Sequence, residues 1–423
     1  MRPLTILGAC VQLLLVIGCG GSAPTVRRDN LVHLYGRNAS QLRLHARVHH
    51  TTPEQGTVYF KLRTSDLLYK SDGSGGPFRA MVRVSYEAYS DWNARNLLDS
   101  ASTLVSDQSL ATDEDKELIG SLALRKDTPA RFVLKVRAHD LHRDTESAVV
   151  IKVDRDPRTS SQYFLPVASG KGLPLFDDHL AGEQEVRVRC DRFTGQLLQG
   201  RYFRGNDELP APVFTSAATK HAEPDPDSTF HVTVDDDGTF RMRLDHTGTY
   251  HLRADSAAGF ALFVLDKAYP YVDEGRDLLK PLRYITSQQE YERMMKAADP
   301  RQAVERFWLD AAGERERARQ AIRTYYSRVE NANRHFTSDV EGWRTDRGLV
   351  HIIFGTPTTI YKSDLSETWI YGEENNLMSL TFTFVKRQRT VTDNDLVLNR
   401  DPMYKSAWYR NVESWRNGRV HQN

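Results

Sequence analysis

The chain is poor in the features that most directly advertise a chemistry. It has three cysteines among 423 residues, and 57 Lys and Arg stand against 56 Asp and Glu, a net charge of +1. A balance so close to neutral leaves no electrostatic footprint for nucleic acid, which needs a basic surface to neutralise phosphates. Apart from one apolar run at the N-terminus there is no long hydrophobic stretch, so the body offers no candidate membrane-spanning helix. There is no Gly-x-Ser-x-Gly elbow, no His-Glu-x-x-His and no glycine loop that could cradle a phosphate. Serine and threonine are plentiful but stand near no recognisable base. Together these absences argue against an enzyme, so no catalytic residue, metal ligand or cofactor is assigned.

What is present begins at the N-terminus. Arg2 precedes an apolar run from Leu4 to Gly18, and Cys19 follows. A basic start, a short apolar core and a small residue before the cut form a secretory signal, here residues 1–18. Val16-Ile17-Gly18-Cys19 resembles a bacterial lipobox, which implies lipid attachment at Cys19. Residues 19–30, opening with Gly20-Gly21-Ser22, then serve as a flexible tether. No aspartate follows Cys19, so the expectation is the outer membrane, on its periplasmic or surface face. Cys10 falls in the signal and Cys19 is taken by lipid, which leaves Cys190 alone and no intrachain disulfide. Cys190 follows Val186-Arg187-Val188-Arg189 and is expected to pack in or beside a strand.

Two stretches alternate with period two. In the first, residues 31–156, the clearest runs are 58–63, 81–86, 132–137 and 149–153, with polar loops such as Ser71 to Gly76 between them; residues 91–124 show no clean period and read as strand plus long loop. A boundary falls at Asp154-Arg155-Asp156-Pro157-Arg158. The second stretch, residues 157–272, centres on Phe230 to Val234, then Asp235-Asp236-Asp237-Gly238, then Phe240 to Leu244. Asp-Gly between such runs predicts a hairpin rather than a calcium loop, which would need alternating oxygen ligands and a distal glutamate. Both stretches read as antiparallel β-sandwiches, expected to be Ig-like, and the spacing of the second resembles the closing strands of Ig-like or carboxypeptidase-regulatory-like sandwiches. His45, His49 and His50 lack acidic or cysteine partners at ligand spacing and read as solvent-facing strand histidines, not a metal site.

After Pro281 the period becomes helical, and residues 283–423 read as an α+β unit with helices packed on a small sheet. Thr286 or Ser287 can cap one helix and Asp299-Pro300 starts a second. A third, from Glu314 toward Phe336, carries Ala318, Ile322, Tyr325, Val329, Ala332 and Phe336 on one apolar stripe. Gly342-Trp343-Arg344-Thr345-Asp346-Arg347-Gly348 is turn chemistry. Its two glycines bracket a tryptophan expected to be buried and an aspartate expected to bond its own turn. Residues 349–354 then read as a buried strand ending at Gly355-Thr356-Pro357, which forms the sheet with 367–371 and 379–385. The final Trp408, Tyr409 and Trp415 suggest a tail that docks aromatics on this unit or on a partner.

Gly342, Trp343, Thr345 and Asp346 carry a resemblance to the GWxTD-domain proteins. It continues through Arg347, Gly348, Gly355, Pro357, Trp369 and Tyr371, and looser matches lie at Phe307-Trp308 and Tyr325-Tyr326. His351 and Thr356 depart from residues common in that family. The resemblance implies a lipoprotein of the cell envelope and no established activity. A weaker likeness, over about forty residues around 355–384, is to the small lipoprotein of the outer-membrane β-barrel assembly machine. The expected role is therefore structural or protein-binding, with a membrane contact through the N-terminal lipid, an envelope protein as partner and no nucleic acid. The alternative is an envelope hydrolase or glycan-acting protein centred near Asp346, with His335 and His351 as further candidates. Sugar binding by a sandwich is a third class and would need exposed aromatics on one face.

Overall fold

The computed structural model describes residues 30–35, 42–71, 73, 76–110, 115–168, 170, 172–205, 207–215, 225–253, 259–273, 275–374, 376–387 and 391–419. The signal at 1–18, Cys19 and nearly all of the tether lie outside the described residues.

The first unit contains seven strands: β1 (His45–His50), β2 (Gly56–Arg63), β3 (Phe78–Tyr89), β4 (Leu97–Ser109), β5 (Glu117–Leu124), β6 (Arg131–Asp140) and β7 (Thr145–Asp154). They form a sheet ordered β1-β2-β5 and a second ordered β4-β3-β6-β7, antiparallel throughout. Alternation drives the assembly. Val58, Phe60 and Leu62 from one sheet and Val82, Val84, Tyr86, Leu134 and Val136 from the other close one core. The stretch 91–124, which showed no period, holds both β4 and β5. β4 hid itself because it is an edge strand rich in serine and threonine, half-buried or exposed at most positions.

The second unit contains β8 (Leu165–Val167), β9 (His179–Ala181), β10 (Gln184–Arg189), β11 (Leu197–Arg204), β12 (Ser228–Thr233), β13 (Thr239–Leu244), β14 (Gly248–Arg253) and β15 (Phe260–Leu265). Its sheets are ordered β13-β10-β8 and β12-β11-β14-β15-β9 and share one core. The turn Asp235 to Gly238 is tight, with Gly238 N–H bonded to Asp235 O at 2.9 Å and Gly238 at φ 72°. It does not close a hairpin, however. β12 pairs with β11 and β13 with β10, so the turn carries the chain from one sheet to the other. Local turn chemistry is the same in both cases; which strand each arm joins is decided by packing. Cys190 is fully buried beside β10, and burial pushes its thiol up to about 12.

The C-terminal unit contains α1 (Gly275–Leu279), α2 (Gln288–Met295), α3 (Pro300–Ala312), α4 (Arg315–Phe336), α5 (Asp346–Phe354), β16 (Thr359–Lys362), β17 (Ser366–Tyr371), β18 (Leu380–Lys386), β19 (Leu396–Leu398) and α6 (Tyr404–Arg416). The helix starts follow their caps. Ser287 and Glu290 form a reciprocal capping box on α2, and Asp299 caps α3 ahead of Pro300. The α4 stripe is buried at Ala318, Tyr325, Val329, Ala332 and Phe336. The sheet runs β16-β17-β18-β19.

Residues 349–354 are helical, where the sequence reading expected a strand. Thr345 Oγ1 accepts the Gly348 N–H at 3.1 Å, and Leu349 N–H closes the first turn on Thr345 O at 2.9 Å. Leu349, Val350, His351, Ile352 and Ile353 are all buried, which erases the amphipathic period that identifies a helix.

The N-terminal segment also departs from its expected place. Residue 30 is expected in the tether and 31–35 in the first unit, yet Leu31, Val32, Leu34 and Tyr35 pack in the core of the C-terminal one. Asn30 brackets β16 through Thr358 O and Ile360 N at 3.0 Å each, and Leu31 N–H bonds Ile360 O at 2.9 Å. At the other end of the chain, α6 buries Trp408 and Trp415 in the same core and leaves Tyr409 exposed. Among the described residues no helix is long and apolar enough to cross a membrane, which says nothing about a β-barrel.

Candidate functional site

The Gly342–Gly348 corner joins α4 to α5. Each of its residues has a physical task. A Cβ on Gly342 would lie 1.9 Å from Ala332 O on α4, and one on Gly348 would lie 1.9 Å from Gly342 O. The corner is pressed against the helix more closely than any side chain permits. Asn333, inside α4, accepts the Trp343 N–H at 3.1 Å, and Thr337 Oγ1 accepts the Gly342 N–H at 2.8 Å. The Trp343 side chain is buried, as expected; its ring lies 6.0 Å from that of Tyr284, whose hydroxyl donates to Trp343 O at 2.9 Å.

Asp346 does not bond its own turn. Its Oδ2 accepts the Leu398 N–H of β19 at 2.7 Å, and the Arg400 guanidinium grips both oxygens at 2.5 and 3.1 Å. Arg400 goes on to Ala211 O at 3.1 Å, from the second unit. The turn instead takes its cap from Thr345. Asp346 is thus a long-range clasp between helix, sheet and the neighbouring unit. No local pattern could reveal a partner more than fifty positions away; Arg400 is the residue the sequence reading missed.

Arg347 is 1% exposed and reaches a second buried cluster. Its guanidinium donates to Glu367 Oε2 at 3.2 Å and to Asn394 O and Oδ1 at 2.6 and 2.5 Å, and lies over the Phe336 ring. Glu367 also accepts from the Trp369 indole at 2.7 Å and from Tyr35 Oη at 3.4 Å. Lys362 Nζ stands 3.4 Å from the same carboxylate and donates to Tyr35 Oη. Burial pushes the Glu367 carboxyl up, but Lys362 and Arg347 outweigh it and hold it below the usual carboxylate range. Lys362, Glu367 and Tyr35 were not singled out from sequence. The alternation through Trp369 and Tyr371 marked β17 but not the carboxylate beneath it.

The remaining candidates are also internal. Gly355 sits at φ 86°, where a Cβ would meet the Arg328 guanidinium at 2.8 Å, and Tyr371 donates to Gly355 O at 2.9 Å. Pro357 is buried. His351 on α5 shares a hydrogen bond with Asn331 on α4 at 3.1 Å, and His335 is pulled down to about 4, chiefly by burial. His351 and His335 both pack on the Phe336 ring, at 5.6 and 6.1 Å, while Asp346 is held apart from them by Leu398 and Arg400. His49 and His50 are buried, not solvent-facing, and His50 packs 5.5 Å from the Tyr163 ring of the second unit. Their strand lies against the neighbouring unit, so the face read as wet is an internal junction. Among the described residues no three His, Cys, Asp or Glu gather as a metal-binding group.

The architecture defines a β-rich, multidomain protein, with five open sheets among the described residues and a C-terminal module of helices on a small sheet. Residues 248–417 match the GWxTD domain, so this is a GWxTD-domain-containing protein. The match opens at β14, earlier than the helical region where the sequence reading began the domain. A search among curated proteins finds no match. Similar solved structures include a calcium-binding mutant of Bacteroides uniformis beta-glucuronidase 2, at 13% identity over 26% of this chain and 12% of that one, with a TM-score of 0.17. Red sea bream transglutaminase is 13% identical over 55% and 32%, at 0.19. The major pilin subunit of Bacillus cereus is 9% identical over 52% and 63%, at 0.17. Scores this low transfer neither fold nor function.

Proposed function

We propose that this is a lipid-anchored protein of the cell envelope, held at the outer membrane through Cys19, with a structural or protein-binding role. On this reading the first two units are Ig-like sandwiches whose loops and sheet edges meet an envelope partner. One observation carries the non-catalytic part: both oxygens of Asp346 are taken by Leu398 and Arg400, and the rest of the corner is committed to packing and caps. A hydrolase centred on Asp346 would need that carboxylate free to meet a substrate. The sugar-binding reading draws less support. Among the described residues the exposed large aromatics, Phe78, Tyr271 and Tyr409, are scattered over separate parts of the chain.

The anchor is tested by labelled fatty acid. Wild type should incorporate label and Cys19→Ser should lose it and leave the outer-membrane fraction; label retained in the mutant defeats the assignment. The structural role is tested by rescue of a deletion strain. Loss of rescue should track loss of folded protein for Trp343→Ala and Asp346→Asn. A fully folded Asp346→Asn protein that fails to rescue would favour catalysis.

A further inference from the structure

Between the first unit and the C-terminal unit lies a cleft of about 330 Å³. Trp92, on the loop after β3, and Lys152, on β7, form one wall. The β16–β17 turn and the approach to β19 form the other, and the buried Arg347–Glu367–Lys362 cluster is the floor.

The charges in this cleft do not balance where it matters. On the floor two cations, Arg347 and Lys362, share the single carboxylate of Glu367. At the rim Lys152 pairs with Asp364 at 3.3 Å and Lys386 with Asp393, but those two carboxylates are 57% and 74% exposed. They are screened by water and lend little to the floor. The surplus positive charge therefore sits where solvent is scarcest. One donor there has no protein partner among the described residues: Arg347 Nε, which is buried. Among the same residues Lys362 Nζ has only Tyr35 Oη and the Glu367 carboxylate, which it shares with Arg347, as polar partners. A buried cation that keeps its charge needs a counter-charge, and an apolar-to-aromatic wall beside it supplies a surface for an organic body. The Trp92 ring, 5.8 Å from Lys362 Nζ, is that wall.

We propose that this cleft binds a singly charged oxyanion, a carboxylate or phosphodiester group borne on a small organic molecule, with Lys362 as its principal contact. The compact ammonium answers a single charge, and Arg347 contributes from below through its free edge. The molecule's body lies against Trp92, so both units hold it. This site is independent of the lipid anchor and of the role assigned to Asp346.

The six tryptophans provide the readout. The Trp92 indole donates to Asp364 at 3.3 Å and the Trp369 indole to Glu367 at 2.7 Å, so both report on the cleft. Trp308, Trp343, Trp408 and Trp415 lie in the C-terminal core and serve as internal controls. The full chain, labelled with nitrogen-15 in detergent, is titrated with acetate and separately with dimethyl phosphate. The expected result is a saturable shift of the Trp92 and Trp369 indole signals while the other four stay in place. Response to acetate alone marks a carboxylate ligand, and response to dimethyl phosphate alone a phosphodiester. Lys362→Met leaves Glu367 paired with Arg347 and should weaken binding at least tenfold. Lys386→Gln, at the rim, should weaken it several-fold and guards against a Lys362 variant that misfolds. No saturable shift with either probe, or the same affinity in both variants, overturns the proposal.

Discussion

Two six-residue apolar runs of this protein look alike and fold differently. Phe260-Ala261-Leu262-Phe263-Val264-Leu265 is β15, and every one of its positions is buried. Leu349-Val350-His351-Ile352-Ile353-Phe354 is most of α5, buried at every position but the last. When all faces are covered, neither period two nor period 3.6 survives in the pattern. The difference comes from what precedes each run. Thr345 offers a hydroxyl to Gly348 N–H, and Asp346 places a carboxylate in the first turn, where the helix dipole favours it. β15 instead follows Gly259, whose backbone runs so close to β14 that a Cβ would lie 2.0 Å from Leu252 O. Strand or helix was thus settled by the entry to each run and by the neighbour that awaited it.

That contrast can be broken in stages. The largest effect is expected from Gly342→Ala. Its Cβ would collide with backbone rather than with a movable side chain, so the corner must leave α4. A loss of more than about 4 kcal/mol is expected, read as a collapse of the melting transition; a near-normal melting temperature would show the close approach to be dispensable. Asp346→Asn comes next. The amide still accepts the Leu398 N–H but leaves Arg400 buried without its counter-charge, at a cost of about 3–5 kcal/mol. Arg400→Met should restore part of the loss in the double variant, and an additive double mutant would count against the clasp.

Acid probes the strand side. His251 on β14 faces Ala261 of β15 in the register, and its imidazole is lowered to about 4, first by burial and then by Arg253 and Arg201. The folded state therefore binds this proton less readily than the unfolded chain does. Its stability is intact above about pH 6.5, the unfolded value, and falls as pH drops toward about 4, by up to about 1.4 kcal/mol per unit. His251→Gln should flatten that part of the stability profile. An unchanged slope would assign it to the other buried imidazoles, His49, His50 and His335, each also lowered to about 4 mainly by burial. The smallest effect is expected from Thr345→Ala, which removes the cap and the hydroxyl's bond to Gly342 O at 2.8 Å and should cost about 1–2 kcal/mol. In circular dichroism it should trim helix content without disturbing the sheets.

Much of the architecture was legible in the residues. Alternation placed β2, β3, β6 and β13, and capping residues placed α2 and α3, because those signals are local and each element has one wet face. The burial of Trp343 followed from its chemistry. Legibility failed where burial was complete or where partners were distant. α5 lost its period, Asp346 found Arg400, and the Asp235–Gly238 turn changed sheets. His49 and His50 were hidden by a neighbouring unit that strand pattern does not reveal.

By itself the sequence determined the local grammar: which segments alternate, where helices begin, and that the 342–348 stretch must be a tight corner. Backbone dihedral preference, side-chain caps and hydrophobic periodicity act over a few residues, so they are written in the order of the chain. Only the tertiary structure decided that Leu31 and Tyr35 belong to the C-terminal core, that Asp346 is a clasp rather than a turn residue, and that Arg347 and Lys362 share Glu367 beneath a cleft. Burial and ion pairing depend on distance in space: Arg347 is 20 positions from Glu367 and Asp346 is 54 from Arg400. Their energies exist only once the units have packed.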